Sequence, residues 1–278
     1  MVSREKNNAR EIKDANIAYY DALDAPAPER IGLARARAVA NAARRRAGGA
    51  PPPGPAVELA CGSGWLSCSL LVAGALPRIV STDLSTGMLR ATRALAGRNG
   101  FNAAAVCADS EQLPFRDDSL AFVLGAGFLH HMTDEQAFFR EVRRVLAPGG
   151  VFLIFREPQA VGSRFVDGVV RAATFAPACM LRLVGRGGAE SFEHEQEKCY
   201  AARDLRELGQ GAGFTVLRVG HHSFFHSMLW LVWARARRFP RMARMLQRLE
   251  PVADAMDTVF GPLIPRMLFY EISASFRK

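Results

Sequence analysis

The stretch VELACGSGW, residues 57–65, decides the fold. A short strand-like run, VELA, passes into a turn holding Gly62 and Gly64 and then into a helix. Glycine accepts torsions and close approaches denied to other residues, and a helix that starts just after such a turn presents free amide hydrogens to an anionic group. In an open parallel sheet, ligands sit beyond the carboxyl ends of the strands, and a glycine-rich first turn lets them reach the backbone. Upstream, APPPGP at 50–55 cannot continue a helix, because proline lacks the amide hydrogen and crowds the preceding turn. A new unit therefore opens at Val57. Before it, residues 30–47 carry Ile31, Ala34, Ala38 or Val39 and Ala42 at helical spacing, with Gly48-Gly49 as a stop.

Downstream, strand-like and helix-like pieces alternate. RIVSTD (78–83), a helix to about Ala96, and AAVCAD (104–109) are followed by LAFVLGA (120–126). A helix then begins near Thr133, where Thr133 and Gln136 have capping-box spacing and Phe138, Val142, Val145 and Leu146 form one apolar face. Pro148-Gly149-Gly150 ends it, and VFLIF (151–155) reads as a fifth buried strand. A helix from Ala202 to Gln210 precedes FTVLRVG (214–220), and FYEISASFRK (269–278) alternates in the manner of a sheet-edge strand. Short apolar strands separated by helices imply right-handed crossovers and a parallel sheet covered on both faces, so the fold class is α/β. Residues 160–195 and 223–266 break the alternation and read as helical additions.

The chain has 278 residues, 49% of them hydrophobic, enough to fill the core of a globular enzyme. Its five cysteines show no CxxC pair and no zinc-ligand rhythm, which reads as reduced thiols in an intracellular protein. The first 21 residues are charged and polar where a secretion signal needs an apolar run, and MLWLVWA (228–234) is far shorter than the ~20 residues that cross a bilayer. A cytoplasmic location is expected. The formal charge of +9 is concentrated at 35–46 and between Arg235 and Arg248, without a nucleic-acid motif, so no nucleic-acid partner is expected.

The chemistry lies at the strand ends. Asp83 closes the second strand about 20 residues after the glycine turn, where a carboxylate accepts both hydroxyls of a ribose. The competing role for Asp83 is a cap for the helix that follows. Asp109 ends the third strand in the same way. Three such strand ends in a row make a nucleoside-binding edge. Cys61 lacks a neighbouring base and reads as a small packed residue. A nicotinamide site is disfavoured, because ACGSGW lacks the third glycine of GxGxxG.

With these residues in view, the chain resembles the class I S-adenosylmethionine-dependent methyltransferases, in particular the bacterial group similar to ubiquinone/menaquinone methyltransferases. The resemblance rests on VELACGSG (57–64), STDLSTGML (81–89), CADSEQLPFRDDSL (107–120), GFLHHMTD (127–134), VRRVLAPGGVFLIFREP (142–158) and LRELGQGAGF (205–214), in that order. It implies a Rossmann-like, mostly parallel seven-stranded sheet, with residues 1–55 as a helical lid or cap and 56–278 as the core. It also implies S-adenosyl-L-methionine as cofactor. Glu58 and the turn of Ala60, Gly62 and Gly64 would hold its amino-acid end, and Asp83 its ribose. Leu84 and Met88 would line the adenine, Asp109 and the backbone of Ser110 would meet the adenine amino group, and Gly125 and Ala126 would border the methionine portion. The chain departs from the family pattern at Ala60, where a glycine is usual, and at Leu120-Ala121, where Phe-Asp is usual.

Methyl transfer from a sulfonium requires alignment, and an alcohol or carbon acceptor also requires a base. Candidates are His130 and His131 after the fourth strand and Glu157 just beyond the fifth; each also has a purely structural reading. In relatives, the segment holding Tyr19 and Tyr20 folds over the cofactor, and the region of His194 and Tyr200 contacts substrate. His221, His222 and His226 have no carboxylate or cysteine close by in sequence to complete a metal set, and no metal is expected. Apolar residues interleaved with arginine at 160–190 point to a hydrophobic or amphipathic small substrate, such as a natural product, isoprenoid, quinone or lipid-linked molecule. Peripheral contact with membrane lipid and a homodimer are open as partners. Two alternatives to methyl transfer stay open: the same fold and cofactor used for cyclisation, hydroxylation or decarboxylation, and a non-catalytic binding protein.

Overall fold

The computed structural model describes residues 2–22, 30–160, 198–236 and 239–278. The chain divides into two compact units. Residues 1–155, 203–219 and 273–278 form the first, and residues 156–202 and 220–272 the second.

The first unit is built on a seven-stranded sheet of order β3-β2-β1-β4-β5-β7-β6. Its strands are β1 (Ala56–Glu58), β2 (Val80–Asp83), β3 (Ala104–Cys107), β4 (Leu120–Ala126), β5 (Leu146–Pro158), β6 (Thr215–His222) and β7 (Glu271–Arg277). The pairs β1–β2, β2–β3, β1–β4 and β4–β5 are all parallel. The order reverses at β1, and a sheet that winds both ways from one strand opens a crevice at that strand's carboxyl end. The α/β class read from the sequence is the one observed.

Helices α1 (Val2–Ala22), α2 (Leu33–Ala47), α3 (Trp65–Val72), α4 (Thr86–Arg98), α5 (Glu135–Val145) and α6 (Ala202–Gly211) belong to this unit. The apolar side of α2, Val39, Ala43 and Ala47, packs with Leu66 and Leu70 of α3 and with Phe122, Leu124 and Leu153 of the sheet. A second core layer is aromatic. Phe139 of α5 lies 5.6 Å from Phe152 of β5 and 5.3 Å from Phe276 of β7, ring centre to ring centre, both edge-on, an arrangement favoured by the ring quadrupoles.

Three local expectations are corrected. Asp134, not Thr133, caps α5: its carboxylate accepts from the amide of Ala137, while the hydroxyl and amide of Thr133 are both taken by Glu111. The fifth strand begins at Leu146 rather than at residue 151, and Pro148-Gly149-Gly150 sits inside it. Gly149, at φ 79°, lets the strand bend there, and Gly149 and Gly150 exchange backbone hydrogen bonds with Lys278. The last strand is interior, between β5 and β7's other neighbour β6, and Glu271 to Phe276 are all buried. Its alternation of polar and apolar residues therefore marks two covered faces: serines fit where space is small and Phe276 where the aromatic layer needs volume.

The second unit contains α7 (Phe225–Ala236), α8 (Pro240–Arg248) and α9 (Glu250–Phe260), which pack on one another. His194 and most of the 160–195 addition lie outside the described residues.

Candidate active site

The turn after β1 is shaped by three left-handed residues, Ala60 at φ 45°, Gly62 at 53° and Gly64 at 74°. Gly64 also has no room for a side chain, since a Cβ would stand 2.6 Å from the methyl group of Thr92. Ala60 occupies a backbone region that costs an L-residue about 1–2 kcal/mol, which gives a physical reason for the glycine usual at this place. Above Gly62 nothing stands within 4 Å of an added Cβ, so the backbone there faces open space.

Asp83 closes β2 beside this turn. Its carboxylate accepts from the amide of Gly62 at 2.8 Å and from the amide of Ser85 at 2.9 Å. The cap of α4 is Ser85, whose hydroxyl accepts from Met88. Asp83 therefore ties the glycine turn to the entry of α4 without being the cap itself. Burial raises its pKa, against the pull of these amides. Met88 is buried on the first turn of α4, next to the partly buried Leu84. The carboxylate of Asp109 follows β3, two residues past Cys107, the register partner of Asp83. Ser110 beside it is buried.

Glu58 ends β1 and is buried, accepting from the amide of Ser67 on α3 at 3.1 Å. Burial pushes its pKa from 4.5 up to about 7; the bonds from Ser67 oppose the rise and the charge of Asp83 adds to it. A folded chain with this raised acid holds a proton that the unfolded chain releases at lower pH. The contribution of Glu58 to stability is thus intact below pH 4.5 and is lost as the pH climbs to about 7, by roughly 3 kcal/mol in all. Glu58→Gln is expected to flatten that slope. Urea denaturation on either side of this window checks it, and an unchanged pH dependence in the variant would refute the assignment.

Gly125 and Ala126 end β4. A Cβ on Gly125 would stand 2.6 Å from the ring of Phe128 and 2.9 Å from the carbonyl of Leu59, so this glycine lets the chain after β4 fold back against β1. That chain forms a short 3-10 turn, Leu129–His131. The rings of His130 and His131 lie 4.1 Å apart, and Nε2 of His131 is 3.0 Å from the hydroxyl of Tyr20.

Helix α1 is bonded to the loops after three strands. Lys13 reaches Asp109 at 2.6 Å and Glu111 at 2.7 Å beyond β3. Tyr20 meets His131 beyond β4, and Asp21 accepts from the hydroxyl of Ser85 at 2.5 Å and the amide of Gly87 at 2.8 Å beyond β2. Burial works against the charge on Lys13, yet its two carboxylates outweigh it and its pKa rises. Tyr19 is exposed, with its ring 5.1 Å from that of Tyr20. Lys13, Asp21 and Glu111 were not singled out in the sequence. The signal was present: Lys13, Ile17 and Tyr20 fall at i, i+4 and i+7, one face of a helix, and all three are half-buried.

Glu157 and Tyr200 belong to the second unit. Glu157 is wholly buried and lies inside β5, not beyond it, because the strand continues to Pro158. Arg156, at φ 63°, pairs with Glu271 at 2.7 Å. Tyr200 is buried, and its amide donates to the carbonyl of Pro158. The ring of His226 pairs with Asp254 at 2.7 Å. Cys61 is buried, and burial pushes its thiol far above the ordinary range, as befits a packing residue.

The doubly wound sheet, the left-handed turn after β1 and acidic residues after β2 and β3 define a class I methyltransferase fold. Residues 57–154, about a third of the chain, match the family model described as the methyltransferase domain. A ubiquinone/menaquinone biosynthesis C-methyltransferase, UbiE of Shewanella sp. (strain ANA-3), is 34% identical over 116 residues, which are 40% of this chain and 46% of that protein. The chain thus matches about half the length of this curated relative. Among solved structures, mycolic acid cyclopropane synthase CmaA1, complexed with S-adenosylhomocysteine and CTAB, is similar at a TM-score of 0.55 and 18% identity, over 87% of this chain and 83% of that one. The [4+2]-cyclase SpnF is similar at 0.54 and 16%, over 92% and 84%. At these identities the two structures speak to the fold.

The residues present fit the cofactor. A carboxylate at the end of β2, open space over Gly62, a buried Met88 and a buried Glu58 with a neutral-range pKa supply acceptors and a wall for a nucleoside carrying a cationic amino-acid tail.

Proposed function

We propose that this protein transfers a methyl group from S-adenosylmethionine to a small hydrophobic or amphipathic molecule. The observation that carries the reading is the hydrogen bond between Tyr20 and His131, set between the lid helix and the loop after β4. When bound, the cofactor supplies an electrophilic methyl group on a sulfonium. The chain must then hold an acceptor in line with that methyl and take up the acceptor's proton. His131 is suited to this, because imidazole titrates near neutral pH and the phenol of Tyr20 fixes the orientation of its ring. Asp83 and Glu58 hold the ribose and the amino-acid tail, and α1 excludes water from above. His130, whose ring packs on that of His131, contributes to placing it.

The acceptor class draws support from the relative named for ubiquinone/menaquinone biosynthesis and from the neighbour named for mycolic acid and solved with CTAB. Purified protein incubated with methyl-labelled S-adenosylmethionine and a metabolite extract of its source is expected to place label in the organic-soluble fraction. Label confined to the aqueous or macromolecular fraction would overturn the acceptor class. Proven cofactor binding without any S-adenosylhomocysteine formed would overturn methyl transfer and favour chemistry without it.

A further inference from the structure

Helix α9 of the second unit is turned inside out relative to an ordinary surface helix. Its acidic side faces α7: Asp257 accepts from the amides of Phe224, Phe225 and His226, and Asp254 takes the ring of His226. Its apolar side faces outward. Val252 is 54% exposed, Val259 63%, and Leu263, in the 3-10 turn that continues the helix, 80%. These three fall at i, i+7 and i+11, a single stripe, whereas a helix bounded by water presents the opposite arrangement. Helix α8 repeats the feature. Met242, Met245 and Leu249 stand exposed at i, i+3 and i+7, while Leu246 alone of these apolar positions is buried.

Two consecutive apolar stripes in the open mark a contact surface. Its charge identifies the partner. On α8, Arg241 and Arg248 project within about a quarter turn of Met245, and Arg266 follows the end of α9's stripe; all three are exposed, and no described carboxylate pairs with them. A two-fold contact with a second copy would gather the arginines of both copies in one interface, which like charge disfavours. A surface of negative headgroups over acyl chains satisfies both halves at once: the guanidinium groups meet phosphate, and methionine, valine and leucine enter the acyl boundary.

We propose that the second unit docks on an anionic lipid surface through the outward faces of α8 and α9. This inference stands apart from the chemistry of the first unit. The test is co-sedimentation of the full chain with phosphatidylglycerol-containing vesicles and with vesicles of phosphatidylcholine alone. Binding is expected to be at least about tenfold tighter to the anionic vesicles and to weaken with added salt. Arg241→Gln with Arg248→Gln should reduce it by about tenfold or more, and Val259→Asp with Leu263→Asp should abolish it. All four positions are exposed, and thermal melts of both variants should match the parent chain. Absence of vesicle binding, binding unchanged in the Asp double variant, or a dimer by sedimentation equilibrium that this variant dissolves would each overturn the proposal. The vesicle readout does not depend on methyl transfer, so its failure leaves the first unit's reading untouched.

Discussion

Asp83→Ala should weaken S-adenosylhomocysteine binding by at least about a hundredfold, the largest effect on affinity expected of any single change at the site. Hydrogen bonds to a charged group contribute about 1.5–3 kcal/mol each, and a ribose offers two hydroxyls to one carboxylate, so a loss of roughly 3 kcal/mol or more follows. The same substitution removes the acceptor of the Gly62 and Ser85 amides, and Ser85 is buried, so a loss of stability accompanies the loss of affinity. Asp83→Asn separates the two roles. It keeps a carbonyl acceptor for one of the two amides, sets its NH2 against the other and loses the charge, so its thermal stability should lie between those of the parent and the Ala variant while its affinity stays well below the parent's. Calorimetry that returned unchanged affinity for the Ala variant would remove the basis for placing the nucleoside at this edge.

The second large effect concerns turnover. With an acceptor recovered from the labelled fraction, His131→Ala should lower kcat by about 10²–10⁴-fold, the usual contribution of a positioned acid or base. Affinity for S-adenosylhomocysteine should barely change, since His131 follows β4 while Asp83 and Asp109, the carboxylates proposed for the nucleoside, follow β2 and β3. Tyr20→Phe keeps the edge-on ring contact with Tyr19 and deletes the 3.0 Å bond to His131. It is expected to reduce kcat more modestly, because the imidazole loses the partner that orients its ring, with affinity for S-adenosylhomocysteine unchanged. If both variants turned over at the parent rate, the pair would be a lid contact and nothing more.

The core of the sheet was readable because its strands are short apolar runs between glycine turns and helices, and the family motifs fall on the ends of β1 to β5. Asp83, Asp109 and the turn at Gly62 needed only position along a strand to be found. What escaped was long-range pairing. Thr133 carries the spacing of a cap, yet a carboxylate 22 residues away in sequence claims it, and Asp134 takes over. β7 has the alternation of a half-exposed strand, and only the burial of Glu271 through Phe276 in the fold reveals that both faces are covered. Lys13 looks like one more charge in a polar helix until the fold sets it against Asp109. The apolar stripes of α8 and α9 are legible as amphipathic patterns, but periodicity alone says nothing about which side meets the interior.

The ion pair between Lys13 and Asp109 has the form of an internal competitor. An ammonium group rests on the carboxylate to which the family resemblance assigns the adenine amino group, so the two donors would share one acceptor. The same ammonium group also bonds Glu111, so this one side chain of the amino-terminal helix gathers two carboxylates of the loop after β3 and ties the helix to the edge where the resemblance places the base.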